Sequence, residues 1–246
     1  MWSPFTLDFT SDVPLAELGS RANRTGGTAM GGRWRASVVL IATVTMLVAC
    51  SVTTGSGNVV SESRNVSGFT KIDLSGAGEV TIDQNGTEAL TIEAEDNLMP
   101  KLTSEVVDGT LRLGEKSNLT INLTKPVKYQ VSVKDLSGLM ISGSGTVTAA
   151  NITAPRLAVA ISGSGKVTVG GTVENQDLVI SGAGEYQAKD LQTKITTTKI
   201  AGSGDASVTV SDSLDIQMSG SGKLTYYGNP PKVTQQISGS GRVTKG

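Results

Sequence analysis

The chain has 246 residues, with 21 Lys and Arg against 22 Asp and Glu, 30 glycines, one cysteine and no histidine. Near-neutral charge points to neither nucleic acid nor an anionic membrane surface as a partner. A single thiol without histidine excludes Cys/His zinc sites, histidine-ligated haem, iron–sulfur clusters and acid–base schemes that need imidazole, so no metal and no cofactor are expected.

Asp8, Asp12 and Glu17 make the first stretch acidic where an export signal would be basic, and Met30 opens a segment of ordinary signal length. Residues 1–29 are therefore read as an extension upstream of the true start, and residues 30–49 as a signal peptide. Arg33 and Arg35 precede the apolar run 36–49. Its span of about 21 Å as a helix falls short of the ~30 Å hydrocarbon core, which favours a cleaved signal over a permanent span. Leu47-Val48-Ala49-Cys50 resembles the lipobox of bacterial lipoproteins, and Cys50 is the only cysteine of the chain. That resemblance implies acylation of Cys50 and membrane attachment through an N-terminal lipid, the competing reading being a lone cysteine in an apolar helix. The Gly, Ser and Thr content of residues 50–58 predicts a flexible tether, followed by one domain over 59–246.

Few aromatic residues follow position 50 (Phe69, Tyr129, Tyr186, Tyr226, Tyr227), while Gly, Ser, Thr and Val abound. This composition predicts short strands, tight turns and a narrow core, and argues against a helical bundle. Strand-like alternation occupies 67–74, 79–84, 88–94, 110–114, 119–123 and 127–134. Turn signals stand at Asn85-Gly86 and Asp108-Gly109, and a short helical turn is expected after Asp96.

The tetrapeptide Ser/Ala-Gly-Ser/Ala-Gly begins at Ser75, Ser142, Ser162, Ser181, Ala201, Ser219 and Ser238, at spacings of 67, 20, 19, 20, 18 and 19 residues. A period near twenty is that of a solenoid coil. The first copy is expected to stand about three further coils away. Before each copy comes Leu74, Ile141, Ile161, Ile180, Ile200, Met218 or Ile237; after each comes a mostly polar and then a mostly apolar residue. The expected fold is an all-β, right-handed parallel β-helix of about 20 residues per coil with a less regular N-terminal β portion. Its turn glycines would be Gly76, Gly78, Gly143, Gly145, Gly163, Gly165, Gly182, Gly184, Gly202, Gly204, Gly220, Gly222, Gly239 and Gly241. They supply sharp bends or positive φ, with the small residue between them letting coils stack about 4.8 Å apart.

Ile72–Ile82, Glu95-Asp96-Asn97-Leu98-Met99, Val107–Leu113 and Ser142–Val147 together resemble the head GIN domain family of auto-transporter adhesins, over most of residues 66–246. The resemblance implies a β-helical fold in an exported, often lipid-anchored setting. It implies no catalytic residues.

Gly165-Lys166 and Gly222-Lys223 are rejected as phosphate loops, because Val167 and Leu224 stand where a Mg²⁺-binding hydroxyl is needed and no helix follows. Asp205 is rejected as part of a calcium β-roll, whose repeat is nine residues. The ladder Thr146, Lys166, Glu185, Asp205, Lys223, Arg242 is expected on the outer surface, one member per coil. Lys166, Glu185, Asp205 and Lys223 form its candidate binding face, for a glycan, a cell-wall component or a protein. Two functions stand: a non-catalytic adhesin-like or structural module of the cell envelope, and a carbohydrate-active enzyme using Glu185 and Asp205. The first is favoured, because no long loop builds a cleft and no aromatic platform for sugar stacking is expected in the array.

Overall fold

The structure, a computed structural model, describes residues 52–116 and 120–246. The expected extension 1–29, the signal 30–49 and Cys50 lie outside the described residues. Among the described residues no helix is long and apolar enough to cross a membrane.

The strands run β1 (Val52–Thr54), β2 (Val59–Arg64), β3 (Lys71–Gly76), β4 (Glu79–Gln84), β5 (Ala89–Glu95), β6 (Leu102–Val107), β7 (Thr110–Glu115), β8 (Thr120–Asn122), β9 (Lys128–Val133) and β10 (Gly138–Gly143). A 3-10 turn at Met99–Lys101 supplies the short helical turn expected after Asp96. Four long strands then each trace most of one coil: β11 (Thr146–Gly163), β12 (Lys166–Gly182), β13 (Glu185–Gly202) and β14 (Asp205–Gly220). The last coil is broken into β15 (Lys223–Tyr227) and β16 (Lys232–Gly239), and β17 (Arg242–Lys245) begins another. The result is a β-solenoid of about five turns spaced about 20 residues apart.

Neighbouring coils pair in parallel and in step: Val147 opposes Val167, and Ile161 opposes Ile180. Alternation puts every second side chain inside. Ile141, Ile161, Ile180, Ile200 and Met218 stack as one buried column, and Ile72, Leu139, Val159, Leu178 and Ile216 contribute to a second. Full burial of each such side chain stabilises by roughly 1.5–3 kcal/mol.

The two glycines of each tetrapeptide have different reasons to be glycine. The first is left-handed, with φ of +109° at Gly163 and +114° at Gly182, where a Cβ is strained, and it is crowded as well, a Cβ on either lying 2.7 Å from the carbonyl oxygen of the glycine below. The second needs space: a Cβ on Gly165 would lie 2.7 Å from Ile141 Cγ2 of the coil below. The residue between them is exposed, so the close approach of the coils rests on the glycines and not, as the composition suggests, on the small residue separating them.

The first tetrapeptide is the main departure from expectation. Ser75 and Gly76 pair directly with Ser142 and Gly143, and Glu79 pairs with Thr146. The copy 67 residues upstream is therefore the adjacent coil, and no intervening coils separate it from the array. The residues between β4 and β10 make an excursion that builds the layers beneath: β7 pairs in parallel with β3 and β9 with β4. Antiparallel strands finish that end, with β6 on β7, β5 on β9 and β2 on β5. Asp108 and Gly109, both at positive φ, make the tight turn between β6 and β7 that their sequence predicts. The Arg64 guanidinium closes the gap between the two edge strands, donating to Leu102 O at 3.0 Å, Met99 O at 3.1 Å and Ser104 Oγ at 3.1 Å.

The expected flexible tether is also corrected. β1 pairs with β8, Gly55 N donates to Asn122 O at 2.9 Å, and residues 56–58 are held by side chains of the segment 95–97. The buried Glu95 carboxylate accepts from Gly57 N at 2.6 Å and Thr124 N at 3.1 Å, and from the Thr124 hydroxyl. Asp96 accepts from Asn58 Nδ2 at 3.0 Å, and Asn97 donates to Thr54 O at 2.8 Å. The Thr124 hydroxyl, with the N–H groups of Gly57, Thr124 and Lys125, holds the Glu95 carboxyl below the usual carboxylate range.

One polar cluster interrupts the aliphatic core. The Tyr186 hydroxyl accepts from Gln176 Nε2, Thr196 Oγ1 lies 3.3 Å from Gln176 Oε1, and Thr193 and Thr196 share a 2.7 Å hydrogen bond. Burial pushes the Tyr186 phenol up.

Candidate functional site

Each glycine turn is followed by a short straight run, and these runs stack into one flat face. Its first outward column is the ladder expected from the sequence: Thr146, Lys166, Glu185, Asp205, Lys223 and Arg242 occupy consecutive coils in register. The structure lengthens it on the N-terminal side by Glu79, opposite Thr146, and Lys128, opposite Glu79. All four candidate binding residues therefore lie together.

Their contacts separate the two carboxylates. Glu185 Oε2 pairs with Lys166 Nζ at 3.2 Å, and Glu185 Oε1 accepts from Gln187 Nε2 at 2.5 Å. Asp205 Oδ1 instead accepts from the backbone N–H of Lys223 at 3.2 Å. One carboxylate leans toward the coil below and the other toward the coil above. The hollow beside them is open and shallow, about 180 Å³, and is lined by Gln187, Ser207 and Thr225 as well as the charged column.

Those lining residues belong to a second outward column that sequence reasoning missed. Thr81, Thr148, Thr168, Gln187, Ser207, Thr225 and Thr244 pair in register along the face. Every member carries a hydroxyl or an amide. The signal was present, since each stands two residues after a ladder position, but a polar column on a solvated face leaves no hydrophobic period to detect.

One aromatic residue stands at the edge of this face, its ring contacted by Lys189 and by Gly246. Tyr227 follows Tyr226 at the end of β15 and pairs in register with Thr209. Tyr226, opposite the buried Val208, packs toward the core, so alternation turns Tyr227 outward. Lys189 Nζ stands 4.9 Å from the Tyr227 ring centroid, within the range of a cation–π contact. A second hollow of about 260 Å³ runs between Thr168, Gln187, Lys189, Asp190, Ser207 and Tyr227. It shares Gln187 and Ser207 with the first, so the two form one continuous furrow across the outer face.

Among the described residues no group of three or more Asp, Glu, Cys or His is arranged to hold a metal ion. The turn glycines border the face and fix its spacing without lining the furrow.

The sequence matches the family described as "Putative auto-transporter adhesin, head GIN domain" over residues 68–230. No curated protein matches it significantly. Among solved structures, a putative adhesin from Bacteroides fragilis is 23% identical with a TM-score of 0.64, covering 78% of this chain and 99% of that one. A putative adhesin from Parabacteroides distasonis is 21% identical with a TM-score of 0.54, covering 80% and 100%. A putative lipid binding protein from the same species is 23% identical with a TM-score of 0.50, again covering 80% and 100%. Likeness at these identities concerns the fold.

Proposed function

The chain belongs to the head GIN domain family of auto-transporter adhesins, and we propose that it is a non-catalytic binding module of the bacterial cell envelope, anchored by lipid at Cys50. The observation that carries the binding role is the outer face itself: two outward polar columns repeat coil after coil, offering an extended ladder of similar contacts. Such a surface suits an extended partner, a glycan, wall component or protein, bound by many modest contacts. Family membership supports the envelope setting. For the anchor, the support is the basic, apolar and small-residue pattern that ends at Cys50.

The enzymatic alternative would use Glu185 and Asp205 as an acid–base pair. Against it stand the opposite orientations of the two carboxylates and the openness of the hollow beside them.

Alanine substitution at Lys166, Glu185, Asp205 and Lys223, read by binding to envelope material and by polysaccharide turnover, tests the reading. Modest losses of binding spread over the four positions are expected. A drop of ~10²-fold in turnover from one carboxylate alone, with folding unchanged, would replace the binding role with catalysis. The anchor has its own test: Cys50→Ala should leave uncleaved precursor and abolish metabolic fatty-acid labelling, and unchanged labelling would defeat it.

A further inference from the structure

Near-zero net charge hides a separation along the solenoid. Residues 59–116 hold eleven Asp and Glu against five Lys and Arg. Residues 120–222 hold eight of each. Residues 223–246 hold Lys223, Lys232, Arg242 and Lys245 and no acidic residue. The protein is acidic at the end closed by β2 and β6 and basic at its last coil.

On the outer face this basic end lies beside Tyr227. Lys223 and Arg242 are consecutive members of the first column. Ser207, Thr225 and Thr244 continue the hydroxyl column between them and Tyr227. Lys189 stands over the Tyr227 ring. None of Lys189, Lys223 and Arg242 takes part in an ion pair among the described residues.

The furrow itself carries Glu185, Asp190 and Asp205 as well as Lys189 and Lys223, so the free positive charge lies at its C-terminal side, where Lys223 and Arg242 stand on consecutive coils. Building on the binding role above, we propose that the outer face of these last coils, at Lys223, Thr225, Arg242 and Thr244, binds an acidic polysaccharide, one whose sugar rings carry carboxylates. Both polar elements of such a chain have a counterpart here. Ring hydroxyls meet the column Ser207, Thr225 and Thr244, and carboxylates meet Lys223 and Arg242. Successive coils advance about 4.8 Å, close to the length of one sugar ring, so an extended chain lying along the axis presents one ring per coil. The hydroxyl floor argues against an anionic lipid surface, which would need an apolar face to insert. Sequence neutrality concealed the site, because the basic end is balanced by an acidic end about 100 residues upstream.

The test uses the full chain with polygalacturonate as probe and its fully methyl-esterified form as the uncharged twin, followed by titration calorimetry at rising salt. Binding to the acid form alone is expected, weakening with salt. Lys223→Gln with Arg242→Gln should weaken it about tenfold or more, and Lys125→Gln, an exposed lysine of the N-terminal portion, not at all. Equal binding of the esterified form, insensitivity to the Lys223 and Arg242 changes, or equally tight binding of duplex DNA or phosphatidylglycerol vesicles would overturn the proposal. If polygalacturonate fails while envelope material still binds in a manner sensitive to Lys166 and Glu185, the acidic-glycan assignment falls and the binding role stands. Circular dichroism checks that each variant is folded.

Discussion

Two parts of the molecule reach the same coil by different means. From Ser142 onward the chain repeats one local solution: an inward isoleucine or methionine, a left-handed glycine, an exposed small residue, a glycine with no room for a Cβ, and an outward polar residue. Every strand pairing is with the preceding or following coil. Between Val59 and Ser137 only the copy at Ser75 follows that solution. There the layers come from strands distant in sequence, joined by antiparallel pairing and closed by single side chains such as Arg64 and Glu95. The array thus depends on many equivalent positions and the N-terminal portion on a few unique ones, so damage should spread differently in each.

The largest effect should come from the array glycines. Gly163→Val and Gly182→Val each place a branched side chain at positive φ, with a Cβ 2.7 Å from the carbonyl oxygen of the coil below. A loss of about 2–5 kcal/mol is expected, read as a fall in melting temperature of roughly 10 °C. Gly68→Ala is the contrast: also left-handed, at φ +76°, but with nothing within 4 Å of its Cβ. It should cost only about 1 kcal/mol. Equal melting temperatures for Gly163→Val and Gly68→Ala would refute the difference between crowded and open turns.

Next in size is Arg64→Ala. It removes three donors from Leu102 O, Met99 O and Ser104 Oγ, a loss of about 1–3 kcal/mol. Hydrogen exchange should quicken in β2 and β6 while β11–β14 keep their protection. Uniform quickening would mean that the two regions unfold as one unit.

A smaller effect is expected from acid. Hydrogen bonds from the Thr124 hydroxyl and three N–H groups lower the Glu95 carboxyl in the folded state. Its contribution is therefore complete above the ordinary carboxylate range and lost as pH falls through the lowered folded value. Residues 52–58 should loosen below about pH 4, and Glu95→Gln should loosen them already at neutral pH. Exchange at Gly57 N–H reports both; an Asp96→Asn control with the same profile would shift the role to Asp96.

Lys166→Ser should be the mildest, within about 0.5 kcal/mol, because its pair with Glu185 is 41% and 44% exposed. A melting shift as large as that of Gly163→Val would mean that the outer column holds the coils together.

How much of this was legible in the sequence follows the same division. The tetrapeptides and their flanking isoleucines gave the coil, its period and the ladder Lys166, Glu185, Asp205, Lys223, since each depends only on residues one period away. The place of Ser75 was misread because distance along the chain was taken for distance along the axis. Residues 52–58 were misread because Gly, Ser and Thr have the composition of a flexible segment, while the groups that hold them, Glu95 to Asn97, lie some forty positions downstream. β6, with Thr103, Ser104 and Glu105 together, lacks the alternation of a strand packed on one face. Tyr227 was counted as one aromatic residue among few; only the register with Thr209 shows that it faces outward beside Lys189.

The pairing of Ser75 with Ser142 also sets an order of assembly. Coils β11 to β14 can form by closing loops of about twenty residues, each on a template already in place. The first glycine turn must wait for a partner 67 residues away, and closing that longer loop adds entropy cost before any contact rewards it. The earliest-made glycine turn of the domain is thus the last to settle. A chain emerging N-terminus first can pair β2 with β5 and β3 with β7, but it carries β4 and the second edge of β3 unpaired until β9 and β10 have followed.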